Sequence, residues 1–336
     1  MSRRMTAKGW FAERGRGAAL LSVLVLVALM TIIATLMLDR LNLATRLASN
    51  SQSMAQAQLY AASAEQIAAA RLTRLVGADS DKTVDRIGLL GREQAMPLAR
   101  GSVAVTVTDA QNCFNVNSIG AGETGEGKRF NRRAQGQFLR LMEGLAIPAN
   151  DAAVIADAVG DWVDADASPQ PNGAEDDYYL SLPVPYRTPG RAMADISELR
   201  AVRGMTEPVY RRLLPWVCAL PSGDDAMVNI NTLRPDQARL IAAMTAGTLS
   251  IDRARAFIAS RPPAGWSSVA GAVGQMARGD DSVFGPSALS QLAVRSELFA
   301  ARIVVRVDSV VLEETALIDV EDGAGRVAAR SWGADR

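Results

Sequence analysis

RGRGAALLSVLVLVALMTIIATLML, residues 14–38, decides how the rest of the chain is read. The charges end at Arg16, and Ala18 to Leu38 then runs for 21 residues without an ionisable side chain. As a helix that run rises about 32 Å, enough to cross the hydrocarbon core of a bilayer. Residues 1–17 carry five basic groups, Arg3, Arg4, Lys8, Arg14 and Arg16, against the single acid Glu13, so this flank is expected to stay cytoplasmic. Everything after Asp39 would then lie outside, in the periplasm of a double-membraned cell. A cleavable secretory signal has a shorter apolar stretch, of about 7–15 residues, followed by a small-x-small site. Here the stretch is longer and no clean site follows. A signal anchor fits the hydropathy equally well.

The helix need not stop at Leu38. From Asp39 to Val76 there is no Pro and no Gly, and Ala, Leu, Gln and Arg dominate, all good helix formers. Leu41, Ala44, Leu47, Ala48, Ala55, Leu59, Ala62, Ile67 and Leu72 form a broken apolar stripe near helical spacing. One continuous helix from Ala18 to Leu75 would be about 87 Å long. A helix that is half membrane span and half amphipathic stalk, preceded by a basic segment ending in Gly, resembles the type IV pilin-like superfamily. That resemblance implies a leader cut by a prepilin peptidase between Gly17 and Ala18, with N-methylation of Ala18 and the helix left on the protein.

Most pilin-like proteins carry Glu at the fifth mature position, where it pairs with the N-terminal ammonium of the neighbouring subunit above. An unpaired carboxylate inside a bilayer is costly. Here the fifth residue from Ala18 is Ser22, and a cut after Gly15 would put Leu20 there. Neither is acidic, which suits a subunit with no neighbour above it. RGRGAALLSVLVLVALM, NCFNVNSI, DWVDADASPQPNGAEDDYY, DISELRAVRGMTEPVYRRLLPWVCALP and VNINTLRPDQARLI, in that order, resemble the K-type minor pseudopilins of type II secretion along nearly the whole chain. The resemblance implies an α+β fold: a long N-terminal helix packed on a small antiparallel pilin-like sheet that carries a large, mostly helical insertion. The expected organisation is a leader at 1–17, a transmembrane and stalk helix at 18–76, the first part of the sheet at 77–118, the insertion at 119–297 and closing strands at 298–336. The implied role is the tip of the pseudopilus. The implied partners are minor pseudopilins of the I and J types, the prepilin peptidase and the inner-membrane assembly platform, with the secretin and secreted cargo as further contacts.

Local patterns fill in this scheme. Ser102 to Asp109 alternates and reads as a strand, as do Leu298 to Val307, Ser309 to Asp319 and Arg326 to Ser331, with a turn at 322–325. Helical patterns cover 132–145, 150–164, 196–202, 208–214, 235–245 and 251–260, and Gly120 to Gly127 reads as a loop. Asn115-Val116-Asn117-Ser118 is echoed at Asn229-Ile230-Asn231-Thr232, where Ser118 and Thr232 are expected to cap helix starts. Two stretches resemble helix-hairpin-helix units, which in nucleic-acid binders offer backbone amides to phosphate. Their turns, at 203–206 and 247–249, lack the second Gly and a dense basic stripe, so nucleic acid is not expected as a partner. A signal-anchored periplasmic module holding DNA or a protein ligand is the rival class.

The chain has no His, which removes Ser-His-Asp triads and His-ligated zinc. Its 36 basic and 36 acidic residues balance. The two cysteines, Cys113 and Cys218, could form one disulfide in an oxidising compartment or stay as buried thiols. Between Gly144 and Tyr186 there are eight acids and no Lys or Arg. Carboxylates at that density repel one another, and an all-oxygen set points to calcium or magnesium, with calcium favoured in a periplasmic loop. Asp164, Asp166, Ser168, Gln170, Asn172 and Glu175 fall at EF-hand ligand spacings, but Pro169 stands where the sharp turn needs Gly. The expectation is an irregular calcium loop, as the K-type resemblance also implies, with Asp164, Asp166, Glu175, Asp176 and Asp177 as ligands and Asp161 and Asp195 as weaker candidates. A solvated acidic loop and a glycosidase-like carboxylate pair are the alternatives. Trp162, Tyr178 and Tyr179 read as core.

Overall fold

The computed structural model describes residues 10–120, 122–124, 127–277, 283–321 and 323–333. The fold is α+β. A single helix, α1 (Trp10–Gly77), runs from the apolar span into the globular part. It crosses a five-stranded antiparallel sheet of β1 (Glu93–Leu98), β2 (Gly101–Asp109), β9 (Leu298–Val307), β10 (Val310–Glu321) and β11 (Ala324–Trp332), in the order β1-β2-β9-β10-β11. The three C-terminal strands fall where the alternation places them. β1 escapes that reading because Pro97 interrupts its pattern, and a proline is tolerated here because the strand is at the sheet's edge.

The face by which α1 meets the sheet differs from the apolar stripe read in the sequence. Ala57, Ala61, Ala64, Ala68 and Leu72 are buried against Val103, Phe299, Ile303, Val305 and Ile318, whereas Leu59 and Ile67 point outward. Of the stripe's residues only Leu72 is buried; small alanines let the helix backbone come close to the sheet, and the bulkier Leu59 and Ile67 are left for other contacts.

The insertion leaves and returns at one point of the sheet. Asp109 faces Phe299 across β2 and β9, and the Ala110 amide donates to the Leu298 carbonyl at 3.0 Å. Phe114, Val116 and Ile119 already belong to the helical core, so the insertion begins near residue 110 rather than at 119. Its core is formed by α2 (Arg132–Gly144), α3 (Ala149–Val163), α5 (Glu207–Leu213), α6 (Ala238–Met244) and α7 (Ile251–Ala259), joined by 3-10 turns at Ile196–Ala201 and Pro235–Gln237. The segment expected as a loop at 120–127 instead leads into a short hairpin, β4 (Gly122–Thr124) and β5 (Gly127–Arg129).

Two short parallel pairings close the insertion as two successive units. β3 (Phe114–Asn115) pairs with β6 (Val217–Cys218), and β7 (Val228–Asn229) pairs with β8 (Leu292–Ala293). The echoed Asn-x-Asn motifs sit at these closures and are not helix caps. Ser118 and Thr232 donate to the carbonyls of Asn115 and Asn229. The asparagines do the tying. Asn117 donates to the Met193 and Leu220 carbonyls and accepts from the Met193 amide, while Asn231 donates to the Trp266 and Val294 carbonyls and accepts from the Trp266 amide. Buried amides that satisfy both donors and acceptors fix the chain's path more specifically than apolar contact does. Cys113 and Cys218 form a disulfide across the first closure, with Cα atoms 5.9 Å apart.

Where α1 crosses β10 and β11, Glu65 and Glu314 are both buried beside the half-exposed Arg330. Arg330 donates to Glu65 at 2.5 and 2.8 Å and holds it low, while Glu314 Oε1 lies 3.7 Å from Arg330 without a hydrogen-bond partner. Burial, and then the neighbouring Glu65, push Glu314 up to about 7. A carboxyl raised in the fold binds its proton better there than in the unfolded chain. Its contribution is complete below the ordinary carboxylate range and is lost as pH rises through about 7. Glu314→Gln should therefore flatten the fall in stability between about pH 5 and about pH 8, measured by urea unfolding in calcium. A slope identical to the parent's would show that Glu314 does not hold the proton.

Candidate functional site

Helix α3 ends at Val163, and the Asp164 amide that follows still donates to the Gly160 carbonyl at 2.9 Å. The acidic loop then turns back over that helix. Two carboxylates from the last turns of α3 hold it there. Asp157 accepts from the Asn172 amide and side chain at 2.9 and 3.0 Å, and Asp161 accepts from the Gln170 amide at 3.0 Å. Gly173 is required by this approach: a Cβ there would stand 1.8 Å from Asp161 Oδ2. Arg203 reaches across from the other side, donating to the Gly173 carbonyl at 2.7 Å and lying 4.8 Å over the Tyr178 ring. Trp162 and Tyr179 meet edge to face in the core beneath, as read from the sequence, whereas Tyr178, read the same way, is exposed under Arg203.

The loop brings three carboxylates to one point. Asp164, Asp166 and Glu175, the last just before the short helix α4 (Asp176–Leu180), each place an oxygen within 4.8 Å of the others. Both oxygens of Asp164 and Oε1 of Glu175 are buried without a hydrogen-bond partner. Burial, followed by repulsion from the neighbouring acids, pushes Asp164 up to about 7 and Glu175 up to about 8. Buried, unpartnered oxygens of Asp164 and Glu175, with the exposed Asp166 carboxylate converging on them, fit a hard divalent cation with oxygen ligands. The carboxylates would supply its charge balance, leaving further positions for neutral oxygens.

The other expected ligands are placed elsewhere. Asp176 turns to Arg187 and accepts from the Thr188 amide and hydroxyl at 3.0 and 3.1 Å, which holds its carboxyl low. Asp177 is exposed. Asp195 caps the 3-10 turn at Ile196–Ala201, accepting from the Ser197 amide at 2.8 Å. Asp161 is adjacent to the cluster but is occupied by the loop's backbone. Asp157 was not singled out in the sequence; its place four residues before Asp161, on the same face of α3, was the available signal.

The membrane-facing features are simpler. Residues 1–9 lie outside the described residues; Gly17 and Ala18 fall within the backbone span of α1. From Ala19 onward the apolar part of α1 is wholly exposed in the isolated chain and long and apolar enough to cross a membrane. Ser22 Oγ donates to the Ala19 carbonyl at 2.8 Å, so its one polar group is satisfied within its own helix. The first hairpin-like turn of the insertion packs closely on α3: a Cβ at Gly204, which has φ +82, would meet Val154 at 2.9 Å.

Comparison with known proteins agrees with this architecture. Two family models, both described as type II secretion system (T2SS), protein K, match residues 112–222 and 228–295. These ranges coincide with the two closed units of the insertion. The type II secretion system protein K of Pectobacterium carotovorum subsp. carotovorum is 37% identical over 328 residues, covering 96% of this chain and 98% of that protein. That of Klebsiella pneumoniae is 35% identical over 321 residues, covering 96% and 97%. The crystal structure of the GspK-GspI-GspJ complex from enterotoxigenic Escherichia coli contains a chain that matches with a TM-score of 0.74 and 31% identity, over 85% of this chain and 99% of that one. An apolar N-terminal helix laid on a five-stranded sheet, a two-unit helical insertion, and relatives matched from end to end together place this chain in the type II secretion system protein K family, as a GspK-type minor pseudopilin.

Proposed function

We propose that this minor pseudopilin caps the tip of the pseudopilus and initiates its assembly with minor pseudopilins of the I and J types, so supporting protein export across the outer membrane. The observation that carries the tip reading is Ser22. Its hydroxyl is bonded within its own helix, and nothing at that position needs a charge from a subunit above. The exposed Leu43 and Leu47, and Leu59 and Ile67 on the opposite side of α1, supply apolar side chains for helix packing below and beside it. The matching chain's presence in a GspK-GspI-GspJ complex supports the same partners here. In this reading α1 spans the inner membrane once, with its basic flank in the cytoplasm and the sheet and insertion in the periplasm. The prepilin peptidase removes residues 1–17. The role is structural: the carboxylate cluster holds a calcium ion that stiffens the insertion, and the chain performs no reaction of its own. The assembly platform, the secretin and cargo are the further contacts this position offers.

The test is the intact mass and N-terminal peptide of membrane-extracted protein from cells with and without the peptidase, paired with labelling of isolated pseudopili. The expected result is a peptidase-dependent start at Ala18 bearing one added methyl group, and label at one fibre end. A start at Met1 in both cells removes the pilin-like pathway. Label along the whole fibre removes the tip.

A further inference from the structure

At the far end of α1 from the membrane span, a second feature stands apart from everything used above. The last turns of α1, the connection that follows it and the start of β1 enclose a groove of about 690 Å³. Five cations line it: Arg71, Arg74, Lys82, Arg86 and Arg92. Only two acids do, Asp79 and Glu93. Asp79 is engaged with its own backbone, accepting from the Asp81 amide at 3.1 Å. Arg71 donates to Gln94, while Arg74, Lys82, Arg86 and Arg92 make no ion pair among the described residues. Ten other arginines are set against carboxylates, as at Arg302 and Glu313 or Arg211 and Glu207, and none of those ten lines this groove. Five cations against two acids leave the groove net positive, and a site of that charge attracts an acidic ligand from a distance.

The groove is not only charged. Leu75 and Leu89 form an apolar wall, and Ile87 at its rim is 75% exposed. Its floor reaches Glu93 and Gln94 of β1, an edge strand of the sheet. Arg71 lies 33 residues beyond the end of the apolar run at Leu38. That is about 50 Å along the helix, far outside the reach of the headgroups around this chain's own span. The apolar wall and the size of the groove exceed what a phosphate group would use.

We infer that this groove is a docking surface for an extended, acidic segment of a protein partner, one that sets carboxylates against the Arg71–Arg92 cations and an apolar side chain against Ile87. It does so wherever along a fibre the chain sits, so it stands or falls separately from the tip assignment.

The test uses the full chain in phosphatidylcholine nanodiscs with calcium. The probe is a fluorescein-labelled peptide of about ten residues alternating Glu and Val, titrated at about 50 mM and about 300 mM salt. Binding is expected to weaken with salt, to fall roughly tenfold in R86Q/R92Q, and to fall several-fold in I87S. These side chains are exposed, so the melting temperature should stay at the parent value. Equal binding of a Lys/Val peptide, no binding of the Glu/Val peptide, or unchanged binding by R86Q/R92Q would each overturn the inference. So would Arg86- and Arg92-dependent capture of phosphatidylglycerol vesicles without peptide binding, which would assign the groove to a lipid surface.

Discussion

Chelating calcium should lower the melting temperature of this protein by roughly 5–10 °C. A ligand that binds only the folded state, present at about a hundredfold excess over its dissociation constant, adds about 2.7 kcal/mol. For a globular part of this size each kcal/mol is worth about 2–4 °C. The structural cause is specific: Asp164 and Glu175 carry buried oxygens with no partner, and Asp166 adds a third charge within 4.8 Å. Without the ion, those groups must either repel or take up protons. Because burial raises Asp164 to about 7 and Glu175 to about 8, the chelated fold binds protons better than the unfolded chain does. Its stability should fall as pH rises through that range, and calcium should remove this part of the fall, leaving the part that Glu314 causes. Glu175→Gln separates charge from shape. In chelator it should melt near the parent at low pH and above it at high pH, where the parent's Glu175 is charged, yet gain nothing from calcium. Identical melting with and without calcium from about pH 5 to about pH 8 would leave a solvated acidic loop and no cation site.

Replacing both cysteines, as C113S/C218S, should cost about 3–5 kcal/mol. The bridge spans 105 residues, and closing a loop of that length in the unfolded chain removes much of its freedom. The cost falls on one place. Cys218 lies opposite Asn115 in the β3–β6 pairing, where Asn115 also accepts from the Leu220 amide. Loss of the bridge should therefore open the first unit of the insertion before the sheet that carries it. Limited proteolysis should nick residues 113–218 early and spare β9 to β11. Urea midpoints equal to the parent's, with an unchanged cleavage pattern, would show that the bridge adds nothing to the closure already made by Asn115 and Asn117.

The acidic loop shows how far spacing alone carries. The EF-hand-like intervals pick out Asp164, Asp166 and Glu175, and these three converge. The same run offered Asp176 and Asp177 with equal chemistry, but Arg187 and Thr188, eleven and twelve residues on, take Asp176 away. Asp157 and Asp161 looked like more of the same acid, yet they shape the loop through its backbone amides. Which carboxylate faces an ion and which faces an amide is set by the chain's return path.

By itself the sequence determined the long apolar helix, the alternation of β9 to β11, the absence of histidine chemistry and the positions of the main helices. These are properties of neighbouring residues, fixed by length, period and side-chain type. Only the tertiary structure decided which face of α1 is buried, that the Asn-x-Asn echoes are staples and not caps, that Pro97 sits in an edge strand, and which acids meet. Each of those depends on a partner far away in the chain. An alanine stripe outranks a leucine stripe only when a flat sheet lies against it, and an asparagine becomes a staple only when another segment returns to bond it.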